Sequence, residues 1–401
     1  MRALEAWLAI SALLLAGCAV GPRPGNWEAL GTAPALTTID RLLSLHGGTL
    51  VAIGHLPDRR VAAAVYDGAH SAWRTAVKSP LDADTSDANP LANGELLITS
   101  LQAGWRFRPS DASWQPAAAM NHRRYAYASS SLADGRLFAC GGTDETGLSL
   151  ASCEIYDPAT DGWLTSASMS IGRFAPLATT LPDGRVFVTG GAFNPSTAED
   201  GSFQLNLDPL DTSETFSPAT GAFSPGPAYL DPVTDPTLVS LPDGRLLAIG
   251  GRQGMFSRTP TTQELDPRTG KWTLRAAPAA QGAGVLLTDG RVLVTGRGPG
   301  QGFSGPSGGG AIYDPAIDLW TPITPPPSEH SPGLAALLPD GRVLTVSFGT
   351  PPASAVFNPQ GLPPLPGRDL PLASREAVLG LAAIVGALLL LVMVRAGLRT
   401  R

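Results

Sequence analysis

Lysine is almost absent from this 401-residue chain: only Lys78 and Lys271 occur, and arginine carries nearly all the positive charge. Charge of either sign is scarce, at 15% of residues with a formal net charge of −6. No basic stripe runs through the sequence, which argues against nucleic acid as a partner, because phosphate backbones are held by clustered Lys and Arg. Neither a Walker loop, a zinc-protease motif nor a nucleophile elbow is found, so no local signature announces a reaction. Cysteine is limited to Cys18, Cys140 and Cys153. Glycine and proline, by contrast, number 46 and 38. They recur at regular turn positions, which argues against disorder. An apolar content of 43% is enough to build a large core.

The turns mark a repeat. In Leu181-Pro-Asp-Gly-Arg-Val-Phe-Val-Thr-Gly-Gly191 an Asp-Gly pair sits between apolar runs, the chemistry of a tight hairpin. The leading leucines of the repeat are Leu45, Leu91, Leu132, Leu181, Leu241, Leu287 and Leu338. Each is followed three residues later by a glycine, from Gly48 to Gly341. Seven copies at spacings of 41 to 60 residues dictate a repeat architecture. After the turn comes a wholly apolar run such as Val186-Phe187-Val188, expected of a strand buried on both faces. Further on, an aromatic or apolar residue is followed seven positions later by Trp or Phe: Tyr66/Trp73, Phe107/Trp114, Tyr156/Trp163, Phe216/Phe223, Leu265/Trp272 and Tyr313/Trp320. Turn-forming text such as Asp157-Pro-Ala-Thr-Asp-Gly separates them. Each unit therefore reads as four strands.

Leu-x-Asp-Gly-Arg, a following Gly-Gly and aromatics seven apart resemble kelch repeats, over about residues 27–364. The resemblance implies an all-β fold, a seven-bladed β-propeller with four-stranded blades. Ser100-Leu101 and Ser347-Phe348 depart from Gly-Gly, and His55 and Arg297 each replace a second glycine. The seventh repeat lacks its final Trp, whereas the chain start offers Trp27 in Trp-Glu-Ala-Leu-Gly. Blade seven is thus expected to take its outermost strand from the N-terminus, closing the ring without an open edge.

The flanks suggest export and anchoring. Residues 1–17 read as a signal segment ending at Leu15-Ala-Gly-Cys18, which resembles a bacterial lipobox and would leave Cys18 lipidated. An ordinary signal peptide with an incidental cysteine is the alternative. A tether (18–26) precedes the propeller (27–364), and a proline-rich linker (365–376) follows it. Residues 377–394 are 18 uncharged, apolar residues, about 27 Å as a helix, and are expected to span a membrane. The basic tail (395–401) would stay cytoplasmic and the propeller outside. A sorting signal that is later removed is the alternative.

For the site, Cys140 and Cys153 end and begin adjacent strands of one blade, so an exported chain would join them in a disulfide; two buried thiols are the alternative. No cofactor, metal site or catalytic residue is assigned. The copper set of galactose oxidase, a kelch-type propeller enzyme, is not matched: Tyr66, Tyr156 and Tyr313 are repeat aromatics. His46 and His70 fall on one face, and His55, His122 and His330 on the other. Sialic-acid mutarotases, a second enzymatic comparison, would use Arg and acidic residues near the channel mouth. A binding platform for an envelope protein or glycan is the primary expectation, and a carbohydrate-active enzyme the alternative. The variable loops, including insertions at Ala192–Thr212 and Arg297–Gly310, share a face with the segments between blades. The ligand is therefore expected at that mouth of the channel, at Arg123, Arg124, Tyr125, Arg173 and His330.

Overall fold

The computed structural model describes residues 25–359, apart from 33–35, 46, 69, 75, 82–86, 101–102, 194–208, 254–256, 260, 278–280, 298–309, 325–331 and 348–351. Cys18, His46, His330, residues 360–376 and the apolar segment 377–394 lie outside the described residues. Seven antiparallel sheets form the blades, in the order of the seven repeats. Blade four shows the plan: Leu177–Thr180, Val186–Thr189, Ser213–Ser217 and Ala222–Pro225, paired in sequence from the channel outward. Blade one has two short outer strands, Ala72–Trp73 and Val77–Lys78, both on Val61–Asp67.

The repeated turn accounts for the hairpin of each blade. All seven turn glycines have φ between 82° and 88°, a region other residues enter only with strain. Each donates its N–H to the carbonyl of the leucine three residues back, at 2.9–3.0 Å. Those leucines are 2–5% exposed, so every turn is pinned to the core by its first residue. The turn aspartates cap the same loop: Asp183 accepts the Arg185 N–H at 3.0 Å and its Nε at 2.8 Å. The Arg185 hydrogen bond holds the Asp183 carboxyl below the usual carboxylate range.

The apolar second strands are buried on both faces because blades stack face to face. Val186 and Val188 pack with Phe138 and Ile155 of blade three, whereas Phe187 packs with Leu246 and Trp272 of blade five. The core therefore lies between blades rather than within any one of them, and no blade can bury its faces alone. At the centre, hydroxyls link neighbouring inner strands, as where Thr180 donates to the carbonyl of Ser131 at 2.6 Å.

The aromatics spaced seven apart are register partners on the third and outermost strands, as in Tyr156↔Trp163 and Tyr313↔Trp320. Their indole N–H groups reach back to the preceding blade: Trp163 to the Ala118 carbonyl at 3.0 Å, Trp320 to that of Ala276 at 2.9 Å. Tyr156 and Tyr313 donate to Asp161 and Asp318, at 2.6 and 2.8 Å. The same carboxylate oxygens accept the Ala118 and Ala276 N–H groups of the blade before. The residue five positions on is Ala112 where the ring is Phe107, Gly221 after Phe216 and Gly270 after Leu265. In these repeats a missing hydroxyl goes with a missing acceptor.

Ring closure follows the expected plan. Asn26–Thr32 runs antiparallel to Ala353–Asn358, with Trp27 opposite Phe357 and ring centroids 5.1 Å apart. Trp27 Nε1 donates to the Thr324 carbonyl at 2.8 Å, linking blade seven to blade six. Replacing Trp27 with alanine is expected to lower the stability of the whole ring by about 2–3 kcal/mol. That is less than the ~3–5 kcal/mol of a fully buried Trp, because Trp27 is half-buried. Thermal unfolding followed by circular dichroism checks this: the single main transition shifts down, and an unshifted transition would contradict closure.

Candidate functional site

On the face where the longer loops emerge, three consecutive blades build the same device. Tyr125 forms a two-bond bridge with Thr143, Phe174 with Ala192, and Thr234 with Arg252, at 2.7–3.0 Å. The next residues, Ala126, Ala175 and Asp235, have φ of 50°, 48° and 49°. This left-handed step turns the chain down into the inner strand, and interblade bonds hold it: Ala126 N–H to Asp87 Oδ2 at 3.1 Å, Ala175 N–H to the Ala126 carbonyl at 3.0 Å. Burial pushes the Asp87 carboxyl above its usual range, against the opposing pull of Arg41 at 3.3 Å. Tyr125 and Phe174 thereby occupy equivalent, half-buried positions around the channel mouth.

The expected binding residues divide here. Arg123 is exposed and Tyr125 half-exposed at the mouth. Arg124 and Arg173 are corrected: at 2% and 0% exposure they are internal struts, out of reach of a ligand. Arg124 donates to the carbonyls of Gly141 and Ser152 at 3.0 and 2.6 Å, and to Glu154 Oε1 at 2.9 Å. Glu154 also accepts the N–H groups of Asn121 and His122 at 2.8 and 2.9 Å. Arg173 repeats the set with Gly190, Thr212 and Glu214. The Gly-Gly pairs serve this arrangement. Gly141 and Gly142, at φ of 73° and 87°, expose a carbonyl to the guanidinium, and a side chain on Gly142 would lie 2.5 Å from the Tyr125 carbonyl.

Blade five carries Val233 in place of the arginine and Gln263 in place of the glutamate. The buried charge is lost from both partners together. Gln263 Oε1 still accepts the Leu230 and Asp231 N–H groups at 2.9 and 3.0 Å. The two charges were hard to place by sequence because Arg123-Arg124 reads as a surface pair. Lining the repeats up on Gly-Gly sets Arg124 against Arg173 and Val233, which reveals an interior position. The same comparison picks out Phe174 beside Tyr125.

The three described histidines are not brought together. The ring of His55 is 2.9 Å from Asp40, that of His70 is 2.9 Å from Asp67, and that of His122 is 3.7 Å from Glu154. Among the described residues no three His, Cys, Asp or Glu side chains are grouped so as to hold a metal ion. Cys140 and Cys153 are register partners, with Cα atoms 4.1 Å apart and their sulfurs joined.

Residues 124–170 match the family model of the Kelch motif. No match is found among curated proteins. The matched span begins at the Arg124 strut and takes in the Gly-Gly pair, Glu154 and the Tyr156/Trp163 pair.

The strut makes its own prediction. Arg124→Val leaves Glu154 charged and short of a partner, and should cost about 3–5 kcal/mol. Adding Glu154→Gln, the combination present in blade five, should recover a large part of that loss. Urea denaturation of the single and double variants checks it, and a double variant no more stable than Arg124→Val would refute it.

Proposed function

Because the chain is a kelch-repeat β-propeller, a fold whose members generally bind proteins, we propose that it is a non-enzymatic docking platform for a protein partner. The observation that carries this reading is the pair of equivalent aromatics, Tyr125 and Phe174, set on a braced rim with exposed Arg123 beside them. Aromatic side chains held rigid lose little entropy on binding, and Tyr and Arg are enriched among interface anchors. Loops on a fixed scaffold are the usual place for such anchors.

In this reading the platform works outside a bacterial membrane. The signal-like residues 1–17, Cys18 as a lipid attachment point and the apolar run 377–394 support it. The facing cysteines of blade three suit an oxidising compartment as well. An envelope glycan in place of a protein is the outcome that would redirect the proposal.

The experiment is site-specific photo-crosslinking in cells, with the full-length chain carrying a benzophenone amino acid at position 123 or, on the opposite face, at 185. Position 123 should give one defined protein adduct and position 185 none. Tyr125→Ala with Phe174→Ala should cut the adduct at least about fivefold, as expected for anchors worth more than ~1 kcal/mol. Adducts from position 185 alone, or from neither, would refute it.

A further inference from the structure

The opposite face, where the tight turns lie, is not uniform. In blades three to seven the residue four positions after the leading leucine is arginine: Arg136, Arg185, Arg245, Arg291 and Arg342. Its Nε is bonded to the turn aspartate at 2.7–2.9 Å in all five. The guanidinium thus lies across the bottom of the blade, and Arg245 extends over the third strand to Glu264 at 2.7 Å. Blade one breaks the pattern twice. Thr49 stands in place of the arginine and Gly47 in place of the aspartate. A side chain built on Gly47 would meet nothing within 4 Å.

The lost arginine leaves a cleft of about 680 Å³ beneath blade one, flanked by turns of blades two and seven. This falls within the range of small-molecule sites, roughly 300–1,000 Å³. Its lining includes Asp67, Arg74, Asn93, Glu95 and Arg108, with Pro339 exposed and Tyr66 and Pro109 buried behind them. The charges are matched internally: Asp67 with the His70 ring at 2.9 Å and Arg74 at 3.9 Å, and Glu95 with Arg108 at 3.0 Å. Asp340, also in the wall, is bonded to Arg342 at 2.7 Å. A cleft with paired charges offers no net field to a strongly ionic ligand. It offers planar side chains, each with two donors or two acceptors, beside the exposed ring of Pro339. Vicinal hydroxyls can satisfy such pairs while the C–H face of a sugar ring lies on the exposed Pro339.

We propose that this cleft binds a neutral, polyhydroxylated ligand, a short oligosaccharide, on the face opposite the proposed protein-docking rim. The two sites are independent, and failure of either leaves the other standing. The test is saturation-transfer NMR and calorimetry on the full-length protein with a panel of neutral tetrasaccharides: α-1,4- and β-1,4-glucan, β-1,4-N-acetylglucosamine, β-1,4-xylan and β-1,4-mannan. A tetragalacturonate serves as the acidic comparison. At least one neutral probe should bind the wild type. Thr49→Arg restores the residue that five blades carry, so it should fold normally, which thermal melting checks, yet weaken binding at least about tenfold. Arg74→Gln, on the exposed rim, should weaken it several-fold without filling the cleft. Binding of no neutral probe, binding of the acidic probe alone, or undiminished affinity in both variants would overturn the proposal.

Discussion

The pairing of Asn26–Thr32 with Ala353–Asn358 joins the two ends of the ring into one blade. Every other blade is built from contiguous chain and could be assembled locally. This one requires a contact between strands more than 300 residues apart. The stacking of blades depends on it, because each apolar second strand needs a neighbour on both sides. Without Trp27 opposite Phe357, blade seven would end in an unpaired edge against the core it shares with blade one, where Leu344 and Val356 meet Leu50 and Tyr66.

Within the closed ring, polar groups are used to tie one blade to the next. The indoles of Trp27, Trp163, Trp272 and Trp320, the Asp161 and Asp318 carboxylates and the buried arginines all bond to backbone that the sheets leave free. These bonds satisfy groups that would otherwise be costly to bury. They also make each loop-face rim rigid: the Arg124 and Glu154 pair anchors the stretch from Asn121 to Tyr125, which displays Arg123 to solvent. The scaffold and the proposed docking rim are therefore parts of the same set of interactions.

The sequence displayed the fold because the turn chemistry is local. Each of the seven repeated Leu-x-x-Gly turns sets a hairpin, and a repeated Tyr-to-Trp spacing sets the next one. Even the closure could be read, since the seventh repeat lacked a Trp that the N-terminus supplied. The site was only half legible. Arg123 and Tyr125 reach the surface of the loop face, but Arg124 and Arg173 are turned inward by partners 17 to 41 residues away, which no local pattern reveals. The cleft under blade one was hidden for the opposite reason. It arises from what blade one lacks, an arginine at Thr49, and becomes visible only once the neighbouring turns are seen to enclose the gap.

The central claim is that the chain ends share blade seven, and hydrogen exchange on the full-length protein addresses it most directly. In the closed ring, Ala353–Asn358 is bonded on both sides, so peptides covering it should be protected as strongly as the third strand of blade three, Cys153–Asp157. Peptides covering Asn26–Thr32 should exchange with them in one cooperative opening. Rapid exchange over 353–358, at the rate of an unpaired edge, would show that the N-terminal strand does not close the ring.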